Sequence, residues 1–369
     1  MAQVYAPAPE PKTELGRYRI LSSTAGIRVS PLQLGAMLIG NAWCSFMGST
    51  DKEQSFKLLD YFFEAGGNFI DTANCYQDDE SETWIGEWMS ARQNRDQVVI
   101  ATKYTTDYKS YALGKGRTPN SSGNSRRSMH MSVRDSLLKL QTDWIDILYV
   151  HWWDFTSSIK EIMDSLHILV EQGKVLYLGV SDTPAWIVSA ANEYAAAFGK
   201  TPFSIYQGRW NIMLRDFERE IIPMARQYGM ALAPWDVLGR GKFQTRKALE
   251  ERAKRGEGLR STRGNEQSED ERKFSEALEK VAREHGIESI TAIALAYVRA
   301  KATRVFPMAL SIKLSQEQVD YLESVKPFEI GFPNNFIGPD PHVTGHFTGL
   351  AAASAALAVE QSPKPTGLA

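Results

Sequence analysis

A chain of 369 residues with 43% apolar and 23% charged positions has the make-up of a globular protein with a sizeable core, in one large domain or two ordinary ones. Its net charge of −2 gives no electrostatic case for nucleic acid or an anionic membrane as partner. Two cysteines, Cys44 and Cys75, allow at most one disulfide and fit a reducing compartment, and no run of 18 apolar residues is present to span a bilayer.

The N-terminal stretch MAQVYAPAPEPK has neither a basic nor an apolar leader segment, so the expected location is the cytoplasm. Residues 1–15 read as disordered. A β-hairpin follows, Tyr18–Leu21 and Ile27–Ser30 around a turn at Thr24-Ala-Gly26. From there short β-rich runs alternate with longer amphipathic ones. The predicted strands are Leu32–Leu38, Asn68–Thr72, Gln97–Lys103, Trp144–His151, Val175–Ser181, Phe203–Gln207, Met230–Trp235 and Arg304–Met308. The predicted helices are Lys52–Ala65, Ser81–Ala91, Arg127–Leu140, Ile159–Glu171, Ala185–Phe198, Phe217–Tyr228, Glu269–Glu284, Ile290–Ala302 and Gln316–Val325. Thr50-Asp-Lys-Glu53 and Ser315-Gln-Glu-Gln318 read as capping boxes. Gly66-Gly67, Gly173, Gly199 and Gly229 mark helix ends.

Near-continuous apolar strands such as Val98-Val-Ile-Ala-Thr suit a parallel sheet covered on both faces. Eight strands, each followed by a helix, predict the α/β class and a (β/α)8 TIM barrel spanning 16–337, with an N-terminal hairpin and an extended C-terminal tail over 338–369. The rival open doubly wound sheet would carry Gly-x-Gly-x-x-Gly after its first strand, and Gly35-Ala-Met-Leu-Ile-Gly40 lacks it. Gly239–Arg263 and the polar Gly264–Asp270 read as a long mobile loop after the seventh strand. Ala351–Val359 has helical composition within a loosely held tail.

Active sites in such barrels lie at the C-terminal ends of the strands. Asp71, Lys103 and His151 end three successive predicted strands, and Tyr76 follows Asp71 in a loop. Taken singly, each has a plainer reading: a helix cap, a packed aromatic, a solvated lysine, a satisfied core histidine. Together their chemistry is complementary. A lysine ammonium favours the phenolate of a neighbouring tyrosine, a carboxylate keeps that lysine charged, and an imidazole orients a carbonyl oxygen. The product is a proton donor suited to carbonyl reduction. Aromatic residues cluster on the same predicted loops: Trp43, Phe46, Trp152, Trp153, Tyr206 and Trp210. Such rings suit flat apolar ligands, and Trp43, Tyr76, His151, Trp152 and Trp153 are the candidate substrate contacts. The six histidines are scattered, and no metal site is expected.

Gly67-Asn-Phe-Ile-Asp-Thr-Ala-Asn-Cys-Tyr76, Ala101-Thr-Lys103 and Val150-His-Trp-Trp-Asp154 resemble the signature segments of the aldo-keto reductases. Gly35-Ala-Met, Ala42-Trp-Cys-Ser-Phe-Met-Gly48 and Leu178-Gly-Val-Ser-Asp-Thr-Pro-Ala-Trp186 resemble the fungal aryl-alcohol dehydrogenase branch, which includes enzymes similar to norsolorinic acid reductase. The resemblance runs from about Gly16 to Phe336. It implies NADP(H) as cofactor and Asp71, Tyr76, Lys103 and His151 as a catalytic tetrad. It implies Ser181, Asp182 and Gln207 as nicotinamide contacts, although the family at large often has Asn where Asp182 stands. Trp235 falls where an aromatic ring stacks on the nicotinamide, and Leu238, Gly239, Arg240, Gly241 and Lys242 where a loop crosses the pyrophosphate. The residues of that loop agree, because glycines permit close backbone approach and Arg240, Lys242 and Arg246 bring positive charge.

The resemblance breaks after the last strand. Family members carry a Gly-rich turn and a short basic helix there, whereas Val305-Phe-Pro-Met308 passes directly into Ala309-Leu-Ser-Ile-Lys-Leu-Ser315. Such an element supplies phosphate donors. Three readings follow: compensation by the loop after strand seven, weak cofactor binding, or a degenerate or mis-spliced product. Two functions are therefore expected as alternatives. One is an NADP(H)-dependent reductase of aryl or polycyclic aldehydes and ketones, working in either direction, with a place in fungal secondary metabolism implied by the resemblance. The other is a catalytically impaired barrel acting as a regulatory or interaction subunit.

Overall fold

A computed structural model of the chain describes residues 6–47, 50–255, 266–306 and 312–353, together with 358, 359, 365, 367 and 368. It divides into two compact units, Met1–Ser181 with Ala190–Ser204, and Asp182–Ser189 with Ile205–Ala369.

The first unit opens on an antiparallel hairpin, β1 (Arg19–Ser22) and β2 (Ala25–Val29), paired with Arg19 opposite Val29. Parallel strands follow: β3 (Gln33–Gly35), β4 (Phe69–Asp71), β5 (Val99–Tyr104), β6 (Ile145–Val150) and β7 (Val175–Ser181). Every residue of β5 and β6 is buried, which is why both read as unbroken apolar runs rather than as alternation. The helices Lys52–Glu64, Glu80–Arg92, Arg126–Leu140 and Ile159–Glu171 connect these strands. Gly86 permits one close crossing: a Cβ there would lie 2.2 Å from Lys139 O, so only glycine lets Glu80–Arg92 approach Arg126–Leu140 this closely.

The second unit takes most of β8 (Phe203–Arg209) and all of β9 (Ala231–Trp235), parallel with Ile205 opposite Ala231. An isolated parallel bridge pairs Val305 with Leu232, backed by hydrogen bonds from Phe306 N to Leu232 O and from Leu232 N to Arg304 O. The predicted eighth strand is thus seen as this bridge, and residues 307–311 lie outside the described ones. The helices Glu269–Glu284, Ile290–Lys301 and Gln316–Ser324 match the predicted segments to within a residue at each end. Leu314 N donates to Gly367 O, and Leu368 bridges Leu314. Within each unit the parallel strands follow the chain, β3 to β7 in the first and β8 to β9 in the second, the strand–helix succession of a (β/α)8 fold.

Three expectations are corrected. Asp51, not Thr50, caps Lys52–Glu64, accepting from Gln54 N; Thr50 instead bridges Gly40. Phe217–Tyr228 is two pieces, a 3-10 turn Asp216–Glu218 and a helix Ile221–Gln227, with Pro223 in the first turn where its missing N–H costs nothing. The segment after β9 read as a mobile loop holds a helix, Arg246–Lys254, whose N-cap Thr245 accepts from Ala248 N. Residues 256–265 of that segment lie outside the described ones. Among the described residues no helix is long and apolar enough to cross a membrane.

Candidate active site

The cluster in the first unit begins where β4, β5 and β6 end. Lys103 has no exposed surface; its ammonium donates to Asp71 Oδ2 at 2.7 Å and to Thr72 O at 2.7 Å. β4 and β5 are adjacent and in register, with Asp71 opposite Ala101, so Asp71 and Lys103 emerge side by side. A buried ammonium is tolerable only with this kind of pairing, and removing one partner of such a pair leaves an uncompensated charge. The same ammonium lies 5.1 Å from the centroid of the Tyr76 ring and 5.6 Å from that of Tyr149.

Tyr76 is half-buried on the loop after β4. Its ring has edge-on neighbours on two sides, His151 at 6.0 Å and Trp43 at 6.3 Å between centroids. His151 follows β6, and its Nδ1 lies 3.3 Å from Thr106 Oγ1. Burial, reinforced by Lys103, lowers the His151 pKa to about 3, so the imidazole is neutral at ordinary pH. Burial pushes the thiol of Cys75 up to about 12, whereas Cys44 is exposed.

The loop after Tyr76 is unusual. Gln77, Asp78 and Asp79 have φ of 52°, 50° and 81°, three successive non-glycine residues in the left-handed region, at about 1–3 kcal/mol each. Side chains hold them there. Lys139 Nζ bonds Asp79 Oδ1 at 2.6 Å, Glu82 Oε2 at 2.7 Å and Asn74 O at 3.2 Å. Burial works against the charge of Lys139, but Glu82 and Asp79 outweigh it and its pKa rises. Glu82 in turn accepts from Thr102 Oγ1, next to Lys103 on β5.

Of the aromatic residues expected at the pocket, Trp43 is half-buried and hydrogen-bonded through Nε1 to Asp78 Oδ1 at 2.9 Å. Trp152 is exposed and donates to Thr106 Oγ1 at 3.0 Å, and Trp153 is half-buried. Tyr206 and Trp210 are core residues instead: Tyr206 OH donates to Thr183 O, and Trp210 stacks on Phe217 with no exposed surface. The side chain of Phe46 lies outside the described residues. Sequence reading missed Thr106, Gln77 and Asp78. The polar run Gln77-Asp-Asp-Glu80 directly after Tyr76 was the available signal.

Ser181 is buried at the end of β7. In the second unit, Asp182 is exposed with φ of 41°, and its N–H donates to Gln207 O. Gln207 is buried in β8. Trp235 at the end of β9 is 37% exposed; its Nε1 donates to Asp182 Oδ1 at 3.3 Å, and the Arg209 guanidinium lies 5.7 Å from its ring. This set of an open indole, an amide and a carboxylate suits a planar heterocycle bearing an amide. Leu238 leads into a 3-10 turn, Gly239–Gly241. Arg240 is left-handed and reaches Asp236 only at 3.9 Å, so much of its charge faces solvent. Lys242 is committed elsewhere, to Glu266 O at 3.0 Å and Glu271 Oε2 at 3.4 Å. Arg246 is 94% exposed and pairs with Glu250 one helical turn on.

The Aldo/keto reductase family model matches residues 31–327. The chain is 58% identical to the aldo-keto reductase ausK of Emericella nidulans over 100% of this chain and 96% of that protein. It is 55% identical to an aryl-alcohol dehydrogenase [NADP(+)] of Phanerodontia chrysosporium, over 91% and 92%. It is 49% identical to norsolorinic acid reductase of Aspergillus flavus, over 90% and 87%. The alignment to ausK runs over 381 residues, longer than the 369-residue chain, so that relative has positions with no counterpart here.

Proposed function

The chain belongs to the aldo/keto reductase family, and from that premise we propose that it is an NADP(H)-dependent oxidoreductase interconverting aryl or polycyclic carbonyl compounds and their alcohols. The name of the aryl-alcohol dehydrogenase [NADP(+)] relative supports both the aryl substrate class and the cofactor, and the likeness to norsolorinic acid reductase supports the reductive direction. The proposed role includes a place in fungal secondary metabolism, a reading supported by the likeness to fungal enzymes.

One observation carries the reading: a lysine with no exposed surface, locked to a carboxylate at 2.7 Å, has its ammonium 5.1 Å from the centroid of a half-buried tyrosine ring. The residues that would hold the cofactor are Ser181, Asp182 and Gln207 for the carboxamide, Trp235 for the ring, and Leu238 to Gly241, with the Arg240 charge, for the phosphates. Lys242, occupied with Glu271, and Arg246, occupied with Glu250, contribute less. When bound, NADPH supplies a hydride to the carbonyl carbon. The Tyr76 hydroxyl gives its proton to the carbonyl oxygen as charge builds there. Lys103 stabilises the phenolate left behind, and Asp71 holds the Lys103 side chain in place. Neutral His151 orients the carbonyl oxygen by a hydrogen bond from a ring N–H, and its environment keeps it from taking a proton.

The test is Tyr76→Phe. It should lower kcat for an aryl aldehyde by about 10²–10⁴-fold, while circular dichroism and the quenching of tryptophan fluorescence by NADPH stay as in the parent. Parent-like turnover in the variant rejects the assignment. No quenching of the parent protein by millimolar NADPH or NADH favours a non-catalytic role.

A further inference from the structure

The five residues from Tyr76 to Glu80 do two jobs at once. Tyr76 brings the phenol, and three of the next four fasten the loop after β3. Gln77 Nε2 donates to Met37 O at 2.9 Å and its Oε1 accepts from Trp43 N at 2.8 Å. Glu80 Oε2 accepts from Asn41 N at 2.5 Å and Ala42 N at 3.0 Å. Asp78 Oδ1 accepts from the Trp43 indole N–H at 2.9 Å. A Cβ at Gly40 would lie 2.4 Å from Gln77 Cβ, so the two segments are in direct contact. Asp78 meets the indole from a left-handed backbone, at φ 50°.

We propose that Asp78 is a specificity-determining residue. By holding the indole N–H it fixes Trp43 as a rigid wall edge-on to Tyr76, so that flat aromatic carbonyl substrates are preferred over compact aliphatic ones. This rests on the reductase reading above. A ring already held loses no rotamer freedom when a ligand stacks on it, and a flat substrate gains from a fixed plane what a small alkyl group cannot. A free indole would lose that selectivity. A merely structural tie would, when cut, lower turnover of every substrate alike.

The experiment uses the full chain with NADPH and two aldehydes, 2-naphthaldehyde and butanal. Asp78→Gly removes the acceptor yet accepts the left-handed backbone; Asp78→Asn keeps an acceptor oxygen and also tolerates that backbone. In Asp78→Gly the ratio of kcat/KM for naphthaldehyde over butanal should fall by about tenfold, within the range one apolar contact commands, through a higher KM for naphthaldehyde. Asp78→Asn should restore the ratio, and Trp43→Ala should lose it with no further loss in the double variant. An unchanged ratio in Asp78→Gly, an equal loss on both aldehydes, or failure of Asp78→Asn to restore it overturns the proposal. Binding settles the matter independently of turnover. The nitrogen-15 indole resonance of Trp43, identified by its loss in Trp43→Ala, is titrated with 2-naphthalenemethanol. If the parent reduces neither aldehyde, the reductase reading falls, but about tenfold weaker binding in Asp78→Gly still upholds the role of Asp78, and equal binding overturns it.

Discussion

The cluster at the ends of β4, β5 and β6 and the turn after β9 are built on opposite plans. In the first, charge is buried and shared: Lys103 has no exposed surface, and its partners Asp71 and Thr72 O are each at 2.7 Å. In the second, charge is exposed and paired locally, as with Arg246 and Glu250, or left facing solvent, as with Arg240. The difference follows from the tasks proposed for each. A proton donor needs a fixed electrostatic environment at the instant of reaction, and fixing it requires burial and mutual bonding. A segment that receives a large anion gains from charges that cost little to redirect, so exposed side chains serve better there.

This contrast predicts unequal costs. The largest falls on Lys103→Met, which leaves Asp71 buried without its partner; it should lower stability by about 3–5 kcal/mol, read as a drop in the urea midpoint, and abolish turnover. A small loss would mean that the pair is less isolated from water than its burial indicates. Next comes His151, whose folded pKa of about 3 lies below the unfolded value. Between pH 6.5 and 3 the unfolded chain therefore binds a proton that the folded one does not, and stability falls as pH drops. The slope from this residue is up to about 1.4 kcal/mol per pH unit. His151→Gln should flatten the fall in urea midpoint between pH 6.5 and 5, and an unchanged slope would show that other groups set it. Trp235→Ala should weaken NADPH binding by about tenfold, as loss of one aromatic stacking contact does, with kcat for bound substrate changed far less. Arg246→Ala should fall within about 0.5 kcal/mol of the parent in stability and leave NADPH affinity nearly untouched. A clear loss of affinity there would move the phosphate contact onto the helix Arg246–Lys254 and erase the contrast in that region.

Much of this was legible in the sequence, and for definable reasons. Val99–Tyr104 and Ile145–Val150 are buried on both faces, so they announce themselves as apolar runs, and the polar residues that break them, Lys103 and the following His151, stand out. Helix caps were less legible, because Thr50 and Asp51 are both able caps and only tertiary contact gives Thr50 to Gly40. The helix Arg246–Lys254 was missed because it has no buried residue and so no apolar stripe to reveal it. The fastening of Trp43 was invisible for a different reason. It joins residues 34 and 35 positions apart through three left-handed backbones, and neither spacing nor propensity foretells a conformation that tertiary bonds impose.

The two cysteines differ in a way an experimenter can use. Cys75 is buried beside Tyr76, and burial pushes its thiol up to about 12, while Cys44 is open to solvent next to Trp43. A maleimide dye added near neutral pH should therefore attach at one place only. The chain thus comes with a single native anchor for a reporter, one residue from the indole whose freedom is in question.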